Sequence, residues 1–439
     1  MFKMNKKIKG SKNLNVPNKG EQSQTCLSYA EHEEHLHKEN VPNLRFPEFS
    51  GEWTKTTLGK IGETFNGLTG KSGSDFGQGS PYITYKSIFD NSKIDLSRVE
   101  YVTITDAERK KQTQNEVHYG DIFFTTSSET PDEVGMTSVL LDEVKDCYLN
   151  SFCFGYRLNS ITDVLPEYMR FYLRSNTIRR RLFVLAQGST RFNISKGEVM
   201  GLTIKLPGTA EQRKIAQLLT MIEDRIATQI KIIEDLKKLK SAICDKYFTY
   251  GNSIRLGDIG SFVRGLTYSS ADIVDNNIGT AVLRSNNISN GEKVNLNELV
   301  WVNKTPGKDQ LLKKNDIVIC MANGSSSLVG KNSYYSDSEI TSATVGAFCG
   351  IYRSNHPIAK WLLQSKHYKK SIHQSLQGGN GAIANVYPED ILSICFDIPC
   401  DNHIYSDMLE NLECKLELEK SALGKLKSLK QYLLSQMFI

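Results

Sequence analysis

No stretch of this chain approaches the roughly 18 consecutive apolar residues of a membrane span, and its lysine-rich start has no apolar run behind it to make a secretory leader. The expectation is a cytoplasmic protein with no membrane partner. Its nine cysteines include no CxxC pair, and several stand inside apolar strings such as SFCFGY and GAFCGIY, the setting of buried reduced thiols rather than of disulfides or metal ligands. Catalytic signatures are missing as well: there is no glycine-rich loop ending in Gly-Lys-Ser/Thr, no GxSxG elbow and no HExxH. Nor is there an Asn/Asp-Pro-Pro-aromatic tetrapeptide of the kind that holds a target amino group in nucleic-acid amino-methyltransferases. The chain is therefore expected to be no enzyme by itself and to carry neither metal nor cofactor.

The 439 residues, 23% charged and 39% hydrophobic, describe a globular protein long enough for two or three domains with their own cores. A formal net charge of +5 permits a polyanionic partner without demanding one. The clearest local pattern runs from Gly208 to Phe248. Ile215, Leu219, Ile222, Ile226, Ile233, Leu236, Ile243 and Tyr247 recur in steps of four and three, with Gln229 and Lys240 in the two remaining slots. That is a heptad seam. Pro207 and Gly208 end what precedes it, Thr209 can cap it, and Glu211 and Gln212 suit the exposed amides of a first turn. About 39 residues at about 1.5 Å each predict a rod of roughly 58 Å, which needs a partner.

A shift of about 190 residues supplies one. It lands on Tyr405, Leu409, Leu412, Leu416, Leu423, Leu426, Leu433 and Met437, and the polar slots recur as Glu419 and Lys430. Shared interruptions as well as shared apolar positions point to duplication. The rest of the chain agrees. Leu58-Gly59-Lys60-Ile61-Gly62 is echoed by Leu256-Gly257-Asp258-Ile259-Gly260, and Asn66-Gly67-Leu68-Thr69 by Arg264-Gly265-Leu266-Thr267. Gly120-Asp121-Ile122 matches Asn315-Asp316-Ile317; Phe152-Cys153 and Tyr156-Arg157 match Phe348-Cys349 and Tyr352-Arg353. Gln187-Gly188 matches Gln377-Gly378, and Leu206-Pro207 matches Ile398-Pro399.

The expected fold is mixed α/β. It has a disordered extension over residues 1–40, a strand-rich domain over 41–207, a central long helix over 208–250, a second strand-rich domain over 251–399 and a C-terminal long helix over 400–439. Strands are expected at Pro81–Ser87, Asp121–Thr126, Thr137–Leu141, Ser151–Leu158 and the GLTIKLP segment, with a helix over Pro166–Ala186. To return the second domain beside the first, the two long helices must run antiparallel with pseudo-twofold symmetry. Gln229 and Lys240 then face polar partners across the seam, with Lys430 and Glu419 as the candidates.

Chemistry concentrates at a surface that recurs in both halves. Arg179, Arg180 and Arg181 end one helix and are followed by Gln187, Ser189, Thr190, Arg191 and Asn193; Lys366, Lys369, Lys370 and His373 end another, followed by Gln377, Asn380 and Asn385. Basic side chains neutralise phosphates, whereas Arg, Asn and Gln make paired hydrogen bonds to base edges. Further candidates are Lys71, Tyr85, Lys86 and Ser87 in the first half, and Arg264, Tyr268, Arg284, Asn286, Asn287, Asn323 and Lys331 in the second. A rival pattern is Pro131-Asp132 followed by Glu143-Val144-Lys145, the carboxylate and lysine spacing of many metal-dependent nucleases. It is short, reads as two turns and has no counterpart in the second half. A helical scaffold that does not read DNA is the other alternative.

The Pro207-Gly208-Thr209-Ala210-Glu211-Gln212-Arg213-Lys214-Ile215-Ala216 start of the long helix, the VPNLRFPEFSGEW segment before the first domain and the duplicated halves together resemble a specificity subunit of a type I restriction-modification system. The likeness runs from about residue 41 to the end. The second helix departs from it, opening Pro399-Cys400-Asp401-Asn402-His403-Ile404 without Glu-Gln. The resemblance implies two target-recognition domains reading a split sequence in double-stranded DNA, with the helices as spacer. It also implies two methylation subunits bringing S-adenosylmethionine to an adenine in each half-site, and restriction subunits adding ATP- and magnesium-dependent translocation and cleavage. Specificity and catalysis would then lie on different chains.

Overall fold

The computed structural model describes residues 40–112, 115–248, 250–274, 278–336, 340, 342–376 and 383–439. The expected N-terminal extension lies outside these residues except for Asn40. By internal contacts the chain divides into two units, Met1–Arg225 with Leu426–Ile439, and Ile226–Lys425.

In the first unit a four-stranded sheet runs in the order Gly62–Asn66, Cys153–Leu158, Ile122–Thr125, Thr137–Val139, all antiparallel. A three-stranded sheet places Phe76–Ile83 between Glu100–Val102 and Tyr148–Leu149. Thr54–Thr57 pairs antiparallel with Thr203–Leu206, just before the long helix. The strand expected to reach Ser87 stops at Ile83, because Thr84 accepts from the Ser87 amide at 3.2 Å and caps a helix over Tyr85–Asp90. The helix expected over 166–186 is likewise two, Pro166–Tyr172 and Asn176–Leu185, with Ser175 capping the second.

The second unit repeats this plan with Ser261–Arg264, Cys349–Arg353, Ile317–Cys320 and Asn332–Tyr334 in one sheet. A second sheet is ordered Ile273–Val274, Val300–Val302, Thr280–Leu283, Ala343–Val345. Asn252–Arg255 pairs with Cys395–Ile398, and Ser365 caps the helix Lys366–Gln374.

The matched sequence fragments are the places where each unit is locked. Arg157 makes a bidentate pair with buried Asp121 at 2.8 and 2.6 Å; Arg353 does so with buried Asp316 at the same distances. Both aspartates follow a left-handed turn residue, Gly120 at φ 87° and Asn315 at φ 69°, two of the residue types that tolerate it. The Tyr156 hydroxyl donates to the Leu58 carbonyl and that of Tyr352 to the Leu256 carbonyl, each at 2.8 Å. A Cβ on Gly62 or Gly260 would stand 2.6 or 2.5 Å from those tyrosine rings, so only glycine fits.

The long helices span Thr209–Tyr247 and Asn402–Gln436. Every seam position is buried or half-buried: Ile215, Leu219, Ile222, Ile226, Gln229, Ile233, Leu236, Lys240 and Ile243 in one, Leu409, Leu412, Leu416, Glu419, Leu423, Leu426, Lys430 and Leu433 in the other. In the second unit Gln229 donates to the Glu419 carboxylate and Lys240 pairs with Glu413 at 2.6 Å. The later residue of one helix thus meets the earlier residue of the other, so the two run antiparallel there. In the first unit Lys430 pairs with Glu223 at 2.6 Å. Of the two candidate partners, Glu419 faces Gln229, whereas Lys240 and Lys430 each meet a glutamate the seam pattern did not name, Glu413 and Glu223. Once Gln229 meets Glu419, Lys240 lies about 16 Å further along the axis, beyond reach of that carboxylate.

The start of the first long helix is tied down by its Glu-Gln pair. Both side chains are buried. Glu211 receives Arg45 Nε and Nη2 at 2.8 and 2.7 Å, while Gln212 donates to the Pro207 and Asp163 carbonyls and accepts from the Leu165 amide.

Candidate nucleic-acid interface

In the first unit a short ribbon collects the loop candidates. Phe192–Asn193 pairs antiparallel with Ser127–Ser128, and Gln187 exchanges backbone hydrogen bonds with Asn193 at 2.9 and 2.8 Å. Residues 188–191 turn between them, leaving Ser189, Thr190, Arg191 and the Asn193 side chain exposed. The Gln187 amide is held by Glu198 at 2.7 Å. Tyr85 reaches the same ribbon, donating its hydroxyl to the Ser127 carbonyl at 2.7 Å, and burial raises its pKa. Lys86 and Arg180 are exposed, whereas Ser87 is half-buried at the start of its helix.

Three basic residues singled out in this unit have structural employment. Arg179 donates to the carbonyls of Asp132, Val134 and Gly135 at 2.6–2.7 Å, clamping the turn after the ribbon, and burial depresses its pKa. The Lys71 side chain is only 6% exposed and is paired with Glu108 at 2.7 Å. Arg181 is likewise bonded to the Thr203 carbonyl. Position along the helix showed which residues were basic; it could not show which carbonyls would lie beside them.

In the second unit the corresponding ribbon pairs Ala322–Asn323 with Ala384–Asn385. Beside it opens a groove of about 550 Å³ whose lining includes Tyr268, Arg284, Asn323, Phe348 and Ile383. Arg284, Asn286 and Arg264 are exposed. Asn287 is buried: its Oδ1 accepts from the Arg284 amide at 2.8 Å and its Nδ2 donates to the Asn295 and Asn297 carbonyls, so it shapes the turn that presents Arg284. Asn323 accepts from the Ser325 amide at 3.0 Å. The Asn385 Oδ1 is buried with no hydrogen-bond partner among the described residues. Lys331 lines a smaller cleft with Tyr368, Lys369 and His373, and Lys369 and Lys370 are exposed. Lys366 is engaged with Asp245 at 2.8 Å. Gln377 and Asn380 lie outside the described residues.

The residue pattern did not single out the exposed aromatic rings Phe152 and Phe348. The signal that could have found them was the recurrent Phe-Cys pair. No group of three or more His, Cys, Asp or Glu side chains able to hold a metal ion occurs among the described residues, and Asp132 and Glu143 are exposed. No described helix is long and apolar enough to cross a membrane.

Fold and surface together define a duplicated architecture, each unit presenting a ribbon with amide and cationic side chains on or near it. Residues 50–238 match the model of the type I restriction modification DNA specificity domain. The chain is 28% identical over 230 residues to a putative type I restriction enzyme MjaX specificity subunit of Methanocaldococcus jannaschii, covering 51% of this chain and 52% of that protein. It is 29% identical over 172 residues to the type I restriction enzyme EcoKI specificity subunit of Escherichia coli, covering 37% and 36%. The chain thus spans about half the length of the first relative and a little over a third of the second. Among solved structures it resembles the type I restriction-modification S subunit of M. genitalium with TM-score 0.55 at 17% identity, over 91% of this chain and 99% of that one. It also resembles a chain of a type I R-M system described for its complex assembly, with TM-score 0.52 at 14% identity over 89% and 98%. These structural likenesses show a shared fold. In sequence, residues 50–238 resemble the type I restriction modification DNA specificity domain, and the matched stretches of the chain resemble specificity subunits of type I restriction-modification systems.

Proposed function

We propose that this chain is the DNA-specificity subunit of a type I restriction-modification complex, reading a two-part target in double-stranded DNA and leaving catalysis to partner chains. The observation that carries this reading is the specificity domain over residues 50–238 together with a second unit of the same strand order. Residues 41–207 and 251–399 act as the two recognition domains. Arg191 at the ribbon of one, and Arg284 and Asn323 beside the groove of the other, are the proposed readers of base edges, for which bidentate side chains are informative. Lys86, Arg180, Lys369 and Lys370 serve phosphates.

The long helices are proposed as an antiparallel coiled-coil spacer with pseudo-twofold symmetry. In support, the Lys240–Glu413 and Glu223–Lys430 pairs are equivalents under the shift of about 190 residues, and Gln229 meets its own equivalent, Glu419. Two methylation subunits carrying S-adenosylmethionine, and restriction subunits using ATP and magnesium, are the proposed partners, with the cytoplasm as the site of action. Divergent recognition domains predict two unlike half-sites separated by unread bases. The test is to express the chain with its cognate methylation subunit and map methylated adenines. A two-part motif with a fixed gap is expected; scattered or absent methylation overturns the reading.

A further inference from the structure

Phe152 and Phe348 are 65% and 62% exposed, and they occupy equivalent positions in the two units. Each precedes a buried cysteine that begins a central strand, Cys153–Leu158 or Cys349–Arg353. Each backbone is pinned. The Phe152 carbonyl accepts from Thr126 N at 3.2 Å and Thr126 Oγ1 at 2.7 Å; the Phe348 carbonyl accepts from Met321 N at 2.8 Å and Ala322 N at 3.2 Å. The fold thus holds the main chain and leaves the ring in solvent, where it adds little to the core.

The neighbouring ribbons have meanwhile diverged. Ser127–Ser128 stands against Ala322–Asn323 and Phe192 against Ala384, with Asn193 and Asn385 alone retained among the four paired positions. A side chain that reads a base pair should differ between halves that read different sequences. A ring retained at the same backbone position in both should meet something common to both half-sites. In the second unit Phe348 shares its groove with Arg284, Tyr268, Asn323 and Ile383. A guanidinium and an amide beside exposed apolar surface suit a polyanion with hydrogen-bonding edges and apolar sugar surface, which is the chemistry of double-stranded DNA.

From this recurrence we infer that Phe152 and Phe348 are sequence-tolerant DNA contacts, each ring packing on the deoxyribose backbone of its half-site by the same geometry. The inference rests on the DNA-reading function proposed above. It assigns the ring to affinity and the ribbon-tip residues to sequence.

The full chain, co-purified with its methylation subunits, tests it as wild type and as Phe152→Ala, Phe348→Ala and Phe348→Trp. Three quantities are read: the methylated motif, the Kd for a duplex bearing that motif, and the amount of methylation subunit retained. Each alanine variant should weaken duplex binding roughly tenfold with every letter of the motif unchanged and assembly intact. Phe348→Trp should bind like wild type, and all variants should melt with it because the rings are exposed. Unchanged Kd in both alanine variants overturns the inference, as does a relaxed letter in one half-site, which would make the ring a base reader. Loss of methylation subunit would make it a protein-docking surface and equally overturn it. If the wild-type complex itself yields no two-part motif, the DNA-reading function fails, a result distinct from any variant effect.

Discussion

Arg157–Asp121 and Arg353–Asp316 show how few side chains need to be retained for a fold to repeat. Each pair places a carboxylate almost out of solvent and covers it with a bidentate guanidinium, so removing one partner strands a buried charge. Asp316→Ala should destabilise the second unit by about 3 kcal/mol, seen as a lower denaturant midpoint of unfolding, with wild-type stability ruling out the lock. Gly260→Ala should cost about 2 kcal/mol, since its Cβ would enter the space of the Tyr352 ring. Both positions were legible as sequence echoes. Their reason was not, because the echo of Leu256 to Gly260 with Tyr352 is a hydroxyl-to-carbonyl contact across 96 residues. The same limit governs the site. Arg191 and Arg284 are exposed as their loops suggested, whereas Arg179 and Asn287 are spent on carbonyls that only folding brings near. Arg191→Ala should accordingly relax or weaken the first half-site alone, checked by methylation mapping; equal loss at both half-sites would remove it from base recognition.

At the scale of elements, the long helices were the most legible part of the chain. A strict heptad rhythm fixes which face is buried, and the buried face observed is the one expected. The polar slots were legible as positions but their partners were not, because pairing across an antiparallel seam depends on axial stagger and on how far a lysine stem reaches. Ile233→Asp should loosen the seam by about 3 kcal/mol, measured by thermal or chemical unfolding, and on the spacer proposal should disturb both half-sites together. Replacing Lys240 and Glu413 together by Met and Leu should be neutral or stabilising, whereas Glu413→Ala alone should destabilise, because it leaves a half-buried ammonium unpaired. Short elements were harder to bound. Thr84 and Ser175 start helices where apolar pattern alone ran on, since a hydroxyl cap competes locally with strand or helix continuation.

For the molecule as a whole, duplication is the organising fact, and it separates what is shared from what is specific. Strand order, the Arg–Asp lock, the Tyr–carbonyl bond and the exposed Phe recur in both units. Three of the four ribbon residues differ, as the proposed reading of two unlike sequences requires. Exchanging residues 50–205 for those of a relative should therefore change one half of the methylated motif and leave the other, whereas an unchanged motif would favour a scaffold that does not read DNA. The sequence by itself determined the repeat, the heptad seam and the turn residues, because periodicity and backbone permissiveness are local properties of residue order. Tertiary structure alone decided which arginines are free, which acid answers Lys240 and which aromatic rings stay in water. Those outcomes depend on what distant segments place beside a side chain, and no local pattern carries that information.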